Sequence, residues 1–149
     1  MKAFRQRLIG KAELHLVTSA EIEPAEGVYV HRGMTSNSEG LLELYRTADI
    51  FALPTRADCL AVVLGEAMAA SLPIVTTNVG AHAEAVIDGE TGVVIGPDDE
   101  ISLGDALELL VDNPGLRKSM GQAGRNRAEA NFDAQKNALR ILELLQGIA

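Results

Sequence analysis

Short apolar runs rich in β-branched residues alternate along the chain with stretches whose apolar positions recur every three or four residues, which predicts alternating strands and helices. "ELHLVT" (Glu13–Thr18) and "GVYVHRG" (Gly27–Gly33) read as strands. "SEGLLELYRTA" (Ser38–Ala48) reads as a helix, with Ser at the cap position and Leu41, Leu42, Leu44 and Tyr45 at helical spacing. "DIFALPT" is a strand ending at Pro54, followed by a helix from about Ala61 to Ser71 that Leu72-Pro73 closes. "PIVTTN" is the next strand, "AHAEAVI" a short helix, and "GVVIGP" (Gly92–Pro97) the last strand. From Glu100 onward the pattern is helical, with breaks at Asn113-Pro114 and near Phe132-Asp133.

Strands such as "IFALP" and "PIVTT" lack polar alternation, so both of their faces are buried. With helices between them, the expected fold is α/β, a three-layer α/β/α arrangement on a mostly parallel sheet of about five strands, ending in a helical tail. One link does not fit the scheme. "SAEIEPAE", between the first two strands, is too short for a helical crossover, so these strands are either joined by an extended loop or antiparallel.

Composition narrows the function. A chain of 149 residues, 47% hydrophobic and 23% charged, suits one ordinary folded domain. Its net charge of -8 argues against a nucleic-acid surface or an anionic membrane as partner. The single cysteine, Cys59, has no internal partner and fits a reducing compartment. No apolar run approaches the roughly 20 residues of a membrane helix, and "MKAFRQRLIGK" lacks the apolar core of a signal peptide. A cytoplasmic location is expected.

Candidate chemistry collects where strands end, the place at which open α/β sheets hold ligands. Gly33-Met34 follows the second strand, Asp58 to Glu66 follows the third, and "NVGAHAEAVIDGETG" (Asn78–Gly92) follows the fourth. Asp58 and Glu66 are acids in an otherwise almost wholly apolar segment, where a carboxylate needs a partner or a purpose. Asp58 reads either as a helix N-cap or as a ligand group, and Glu66 either as an acid favoured by the helix dipole or as a ligand group. Cys59 has no neighbouring base and reads as a packing residue. His15 and His31 sit in strands and serve local hydrogen bonds; His82 lies in a candidate ligand loop, and its role stays open. "PDDE" (Pro97–Glu100) stands before a helix, which makes capping a better account than metal binding, and nothing has zinc-site spacing. Arg56 is either a phosphate contact or a solvated loop residue, and "RKSMGQAGRNR" reads as a helix with its charges outward.

Taken together, "ADIFALPT", Asp58, and "EAMAASLPIVTTNVGAHAEAVIDGETGVVIGPDD" resemble the donor-binding C-terminal domain of retaining GT-B glycosyltransferases, the large group-1 (family 4-like) class. That class carries E-G-F-G, then E-A-M-A, P-V-V-A-T, G-G-x-x-E and D-G-x-T-G in this order. The resemblance runs from about Ala3 to the C-terminus and includes the helical tail. It implies one Rossmann-like domain over residues 1–149, with 114–149 as the tail, that binds a nucleotide-sugar without a metal or other cofactor. Glu66 would accept hydrogen bonds from the ribose, and Asp58, the residue at the catalytic position, would contact the transferred sugar. Cys59, Leu60, Ala61 and Val62 would open a helix toward the diphosphate. Gly33 and Met34 would flank the base, and Gly80 would lie beside the donor.

The chain departs from this class at several points. The first acid is Asp58 rather than Glu, the E-G-F-G glycines are Cys59 and Ala61, its Phe is Leu60, and the second Gly of G-G-x-x-E is Ala81. By the resemblance, the class's first strand, with an Arg and a Lys that neutralise the diphosphate, is expected to lie before Met1, with Lys11 out of register to replace that lysine. The N-terminal acceptor domain is expected to be missing as well. Without its first strand the five that remain would close into a flavodoxin-like order, or leave an edge open to self-association. Three outcomes follow: the donor half of a glycosyltransferase, inactive alone; a non-catalytic binding or assembly module derived from it; or a nucleotide-sugar epimerase of the same fold.

Overall fold

The computed structural model describes residues 2–59 and 61–146. Its elements are α1 (Lys2–Arg7), β1 (Leu14–Val17), β2 (Val28–His31), α2 (Glu39–Thr47), β3 (Phe51–Leu53), α3 (Val62–Ala69), β4 (Ile74–Thr77), α4 (His82–Ala85), β5 (Gly92–Ile95), α5 (Glu100–Asp112), α6 (Pro114–Asn131) and α7 (Ala134–Gln146). Every expected strand and helix is present, each shorter than its apolar run.

All strand pairings are parallel. That settles the short link: residues 18–27 join β1 to β2 as an extended loop, with Leu14 opposite Val28 and Val17 opposite His31. The single sheet of about five strands is not formed. β1 and β2 make one sheet and β3, β4 and β5 another, in that order, so the chain has not closed up into a flavodoxin-like order. A ladder needs strands about 4.8 Å apart, and among the described residues none joins β1 to β3.

β4 is the centre of the larger sheet and is buried along its whole length. Its side chains alternate between two cores, as strand geometry requires. Ile74 joins Leu64, Met68, Val86 and Ala128 on the α3, α4 and α6 side. Val75 joins Ile95, Ala106, Leu110 and Met120 on the α5 side. Helices thus cover both faces of β4, giving the α/β layering that its unalternated run predicts, whereas β3 leaves Ala52 exposed. Two glycines fit this packing tightly. A β-carbon at Gly92 would collide with the Ile74 carbonyl oxygen, and one at Gly121 with that of Ser71.

α1 is an element that the sequence reading does not contain. Ala3, Phe4 and Leu8 are buried and pack this short helix on α5, while Arg7 pairs with Asp105 and the Lys11 ammonium lies 3.0 Å from Glu108. The arginines of α6 also differ from expectation. Instead of pointing uniformly outward, all three donate to carbonyl oxygens at the C-terminal ends of other helices, the groups a helix cannot satisfy itself. Arg117 reaches Leu110 and Val111, Arg125 reaches Ala69, and Arg127 reaches Glu84 and Ala85. α7 buries none of its side chains, leaving Leu139, Ile141, Leu142, Leu144 and Leu145 exposed. No described helix is long and apolar enough to cross a membrane.

Candidate functional site

Two of the three predicted loops meet. The backbone N–H of Ala81 donates to the Cys59 carbonyl oxygen at 2.7 Å. Gly80, at φ +50°, lies so close beneath that a β-carbon there would strike the carbonyl oxygens of Asp58 and Cys59. Gly80 is therefore required by a close backbone approach and by its left-handed conformation. It seats the segment before α3.

Hydroxyls on β4 hold the same end of the sheet. Thr77 donates through its side chain to the Thr55 carbonyl at 2.6 Å, and Thr76 donates to that of Leu53 at 3.1 Å. A hydroxyl has one proton, so Thr76 must accept from His82, whose Nδ1 lies 3.0 Å away. Nδ1 of His82 therefore donates to Thr76, and its Nε2 is fully buried and without a partner among the described residues. His82 anchors the loop from inside and does not present itself to a ligand at the surface.

Asp58 is not a helix cap. The N-cap of α3 is Ala61, with no side-chain hydrogen bond, and the first turn carries no acid. Among the described residues no side chain accepts from its leading N–H groups. Asp58 and Cys59 are exposed, Ala61 is buried and Val62 is 76% exposed. Leu60 lies outside the described residues.

Glu66 is half-buried in α3, with the Tyr45 hydroxyl donating to its Oε2 at 2.9 Å. Tyr45 comes from α2, and its ring stacks on Phe51 with centroids 6.0 Å apart. Burial, and then the neighbouring carboxylate, push the phenol's ionisation well above its ordinary value. Tyr45 is the site residue that sequence reasoning missed. Its signal was there: it is the one side chain of that apolar stripe with a polar tip.

Gly33, at φ +69°, follows β2, and the Met34 methyl lies against Gly40. This pair sits at the end of the other sheet, and no hydrogen bond among the described residues joins it to the Asp58 or Gly80 segments. The cations weighed for a phosphate are engaged. Arg56 donates to Asp98 at 2.5 Å, and Lys11 is paired with Glu108. Asp99 caps α5 through the Ser102 N–H at 2.9 Å, as "PDDE" suggested. His15 and His31 satisfy each other at 3.0 Å. No three His, Cys, Asp or Glu side chains cluster as a metal site among the described residues.

A cleft beside α3 does not coincide with these loops. About 490 Å³ in volume, it lies between α3 and α6, bounded by Ala61, Val62 and Glu66 on one side and Arg125, Phe132 and Asp133 on the other. Only its rim is shared with the predicted site.

Comparison with known proteins gives this geometry a lineage. Residues 10–127 match the family described as glycosyl transferases group 1. A D-inositol 3-phosphate glycosyltransferase of Corynebacterium diphtheriae is 42% identical over 94 residues, 63% of this chain and 22% of the relative. One from Paenarthrobacter aurescens is 32% identical over 136 residues, 91% of this chain and 33% of the relative. The chain thus spans between a fifth and a third of these relatives' length. Among solved structures, sucrose-phosphate synthase from Thermosynechococcus elongatus superposes with a TM-score of 0.78 at 24% identity, covering 91% of this chain and 38% of that one. Anabaena HepE in complex with UDP gives 0.73 at 20%, covering 81% and 32%. The two structures share its fold, and the family match extends over most of its length: the chain belongs to the group 1 glycosyl transferases.

Proposed function

We propose that residues 1–149 are the nucleotide-sugar-binding half of a retaining glycosyltransferase, with residues 114–149 as its tail, and that a second, acceptor-binding half completes the enzyme. The observation that carries this reading is the seating of the Asp58–Cys59 segment on Gly80 beside the uncapped start of α3. Free N–H groups and the positive helix end suit a diphosphate. Half-buried Glu66 on α3 would accept from a ribose, and exposed Asp58 would meet hydroxyls of the transferred sugar. Gly33 and Met34 would meet the base, and Cys59, Leu60, Ala61, Val62 and Gly80 would border the phosphates.

In the transfer, a hexose passes from the nucleoside diphosphate to an acceptor hydroxyl with retention at the anomeric carbon. Charge grows on the departing diphosphate. Stabilising that charge is the work of the α3 N–H groups, which need no metal for it. Arg56 is drawn off by Asp98 and Lys11 by Glu108, so this half alone should have negligible transfer activity. The same engagement favours a second reading, a binding module that has kept the fold and lost the chemistry. The reading also places the chain in the cytoplasm, with self-association confined to the open strand edges.

Calorimetric titration with UDP-, GDP- and ADP-sugars, beside Glu66→Ala, tests the proposal. Saturable binding to one nucleotide, weakened by about 1–3 kcal/mol in the variant, supports a working donor half. A folded protein that binds none at millimolar concentration refutes it and leaves the scaffold.

A further inference from the structure

We infer that Tyr45 is a positioning residue that fixes the Glu66 carboxylate for a ribose diol, an inference that rests on the donor-site reading above. Three observations carry it. The phenol hydroxyl donates to Oε2 of Glu66 at 2.9 Å, across a sequence separation of 21 residues and from a different helix. The Tyr45 ring is itself fixed, stacked on Phe51 and packed against the core that contains Leu64 and Met68. Tyr45 is also the only hydrogen-bond partner of the Glu66 side chain among the described residues.

A glutamate on a helix has three side-chain torsions, and holding its carboxylate in one orientation costs entropy that an unaided ligand must supply. The phenol supplies that restraint before any ligand arrives. An ionised carboxylate accepts about four hydrogen bonds. With one used by Tyr45, Oε1 and the remaining lone pair of Oε2 are left, which matches the two donors of a vicinal diol. The phenol is held in its neutral form by burial and by the carboxylate, so it remains a donor throughout the physiological range. A hydroxyl group bound to Glu66 and the phenol both donate, and they do not compete because the carboxylate has lone pairs enough to accept from each.

The test separates positioning from packing by altering the ligand. The nucleoside diphosphate among UDP, GDP and ADP that binds best is titrated calorimetrically into the wild type, Tyr45→Phe, Glu66→Ala and the double variant, alongside its 2′,3′-dideoxy analogue. Tyr45→Phe keeps the ring and its packing. The expected result is a three- to tenfold loss of affinity for the ribonucleotide, no loss for the dideoxy analogue, and no further loss when Tyr45→Phe is added to Glu66→Ala. An equal loss for both ligands would make Tyr45 structural. Wild-type binding that Glu66→Ala weakens and Tyr45→Phe does not would overturn the positioning role while keeping the donor site. Absence of binding by the wild type to all three nucleotides would reject both.

Discussion

The Ala81 backbone N–H and the Cys59 carbonyl oxygen, 22 residues apart in sequence, are joined by a 2.7 Å hydrogen bond that locks the loop after β3 to the loop after β4. Gly80 makes this possible, because only hydrogen fits where the carbonyls of Asp58 and Cys59 pass over it.

Gly80→Ala should therefore destabilise by about 2–3 kcal/mol, from left-handed strain and collision together. Gly89 is the control. It too has a positive φ, +75°, yet nothing lies within 4 Å of where its β-carbon would go. Gly89→Ala should cost only about 1 kcal/mol, the conformational part. Urea unfolding of both variants checks the difference. Equal midpoints would mean that the two loops are not tightly seated.

Asp99 provides a pH signature. Hydrogen bonds from the Ser102 backbone and hydroxyl hold its carboxyl below the usual range. A depressed folded pKa contributes stability that is present above the unfolded value and lost as pH falls through the folded one. Asp99→Ala should lower Tm at pH 7, and the gap to wild type should close in acid, below the ordinary carboxylate range near 4. A gap independent of pH would remove the cap from the account.

Tyr45 gives the opposite sign. Its phenol is raised by burial first and by Glu66 second. A raised folded pKa adds stability that is fully present below the ordinary phenol value near 10 and lost as pH climbs toward the folded value. In Glu66→Gln the carboxylate contributions disappear, so ultraviolet titration should show Tyr45 ionising earlier, though still later than a free phenol. An unchanged titration curve would mean that the phenol and the carboxylate are not in contact.

Much of the fold was legible because periodicity is local. The unalternated run at β4 announced a strand buried on both faces, and "PDDE" before a helix announced a cap. α1 escaped because it is only six residues long, and its pattern was read as a test for a leader. The break between β1 and β3 was not legible because pairing of distant strands leaves no mark on either strand alone. The site divides likewise. Asp58 and Glu66 stand out as acids in an apolar segment and Gly80 through the family resemblance, whereas the Tyr45–Glu66 bond and the carbonyl contacts of the α6 arginines depend on approaches between elements far apart in sequence. Arg56 was ambiguous in sequence for the same reason, and its partner Asp98 lies 42 residues away.

The most direct test of the central claim is a map of backbone amide shifts as UDP-, GDP- and ADP-sugars are added to the isotopically labelled protein. The account predicts saturable shifts that cluster at Asp58, Cys59, Ala61, Val62, Glu66 and Gly80, with a second group at Gly33 and Met34. Shifts concentrated instead along the cleft between α3 and α6, at Arg125, Phe132 and Asp133, would contradict it, as would a spectrum unchanged at millimolar ligand.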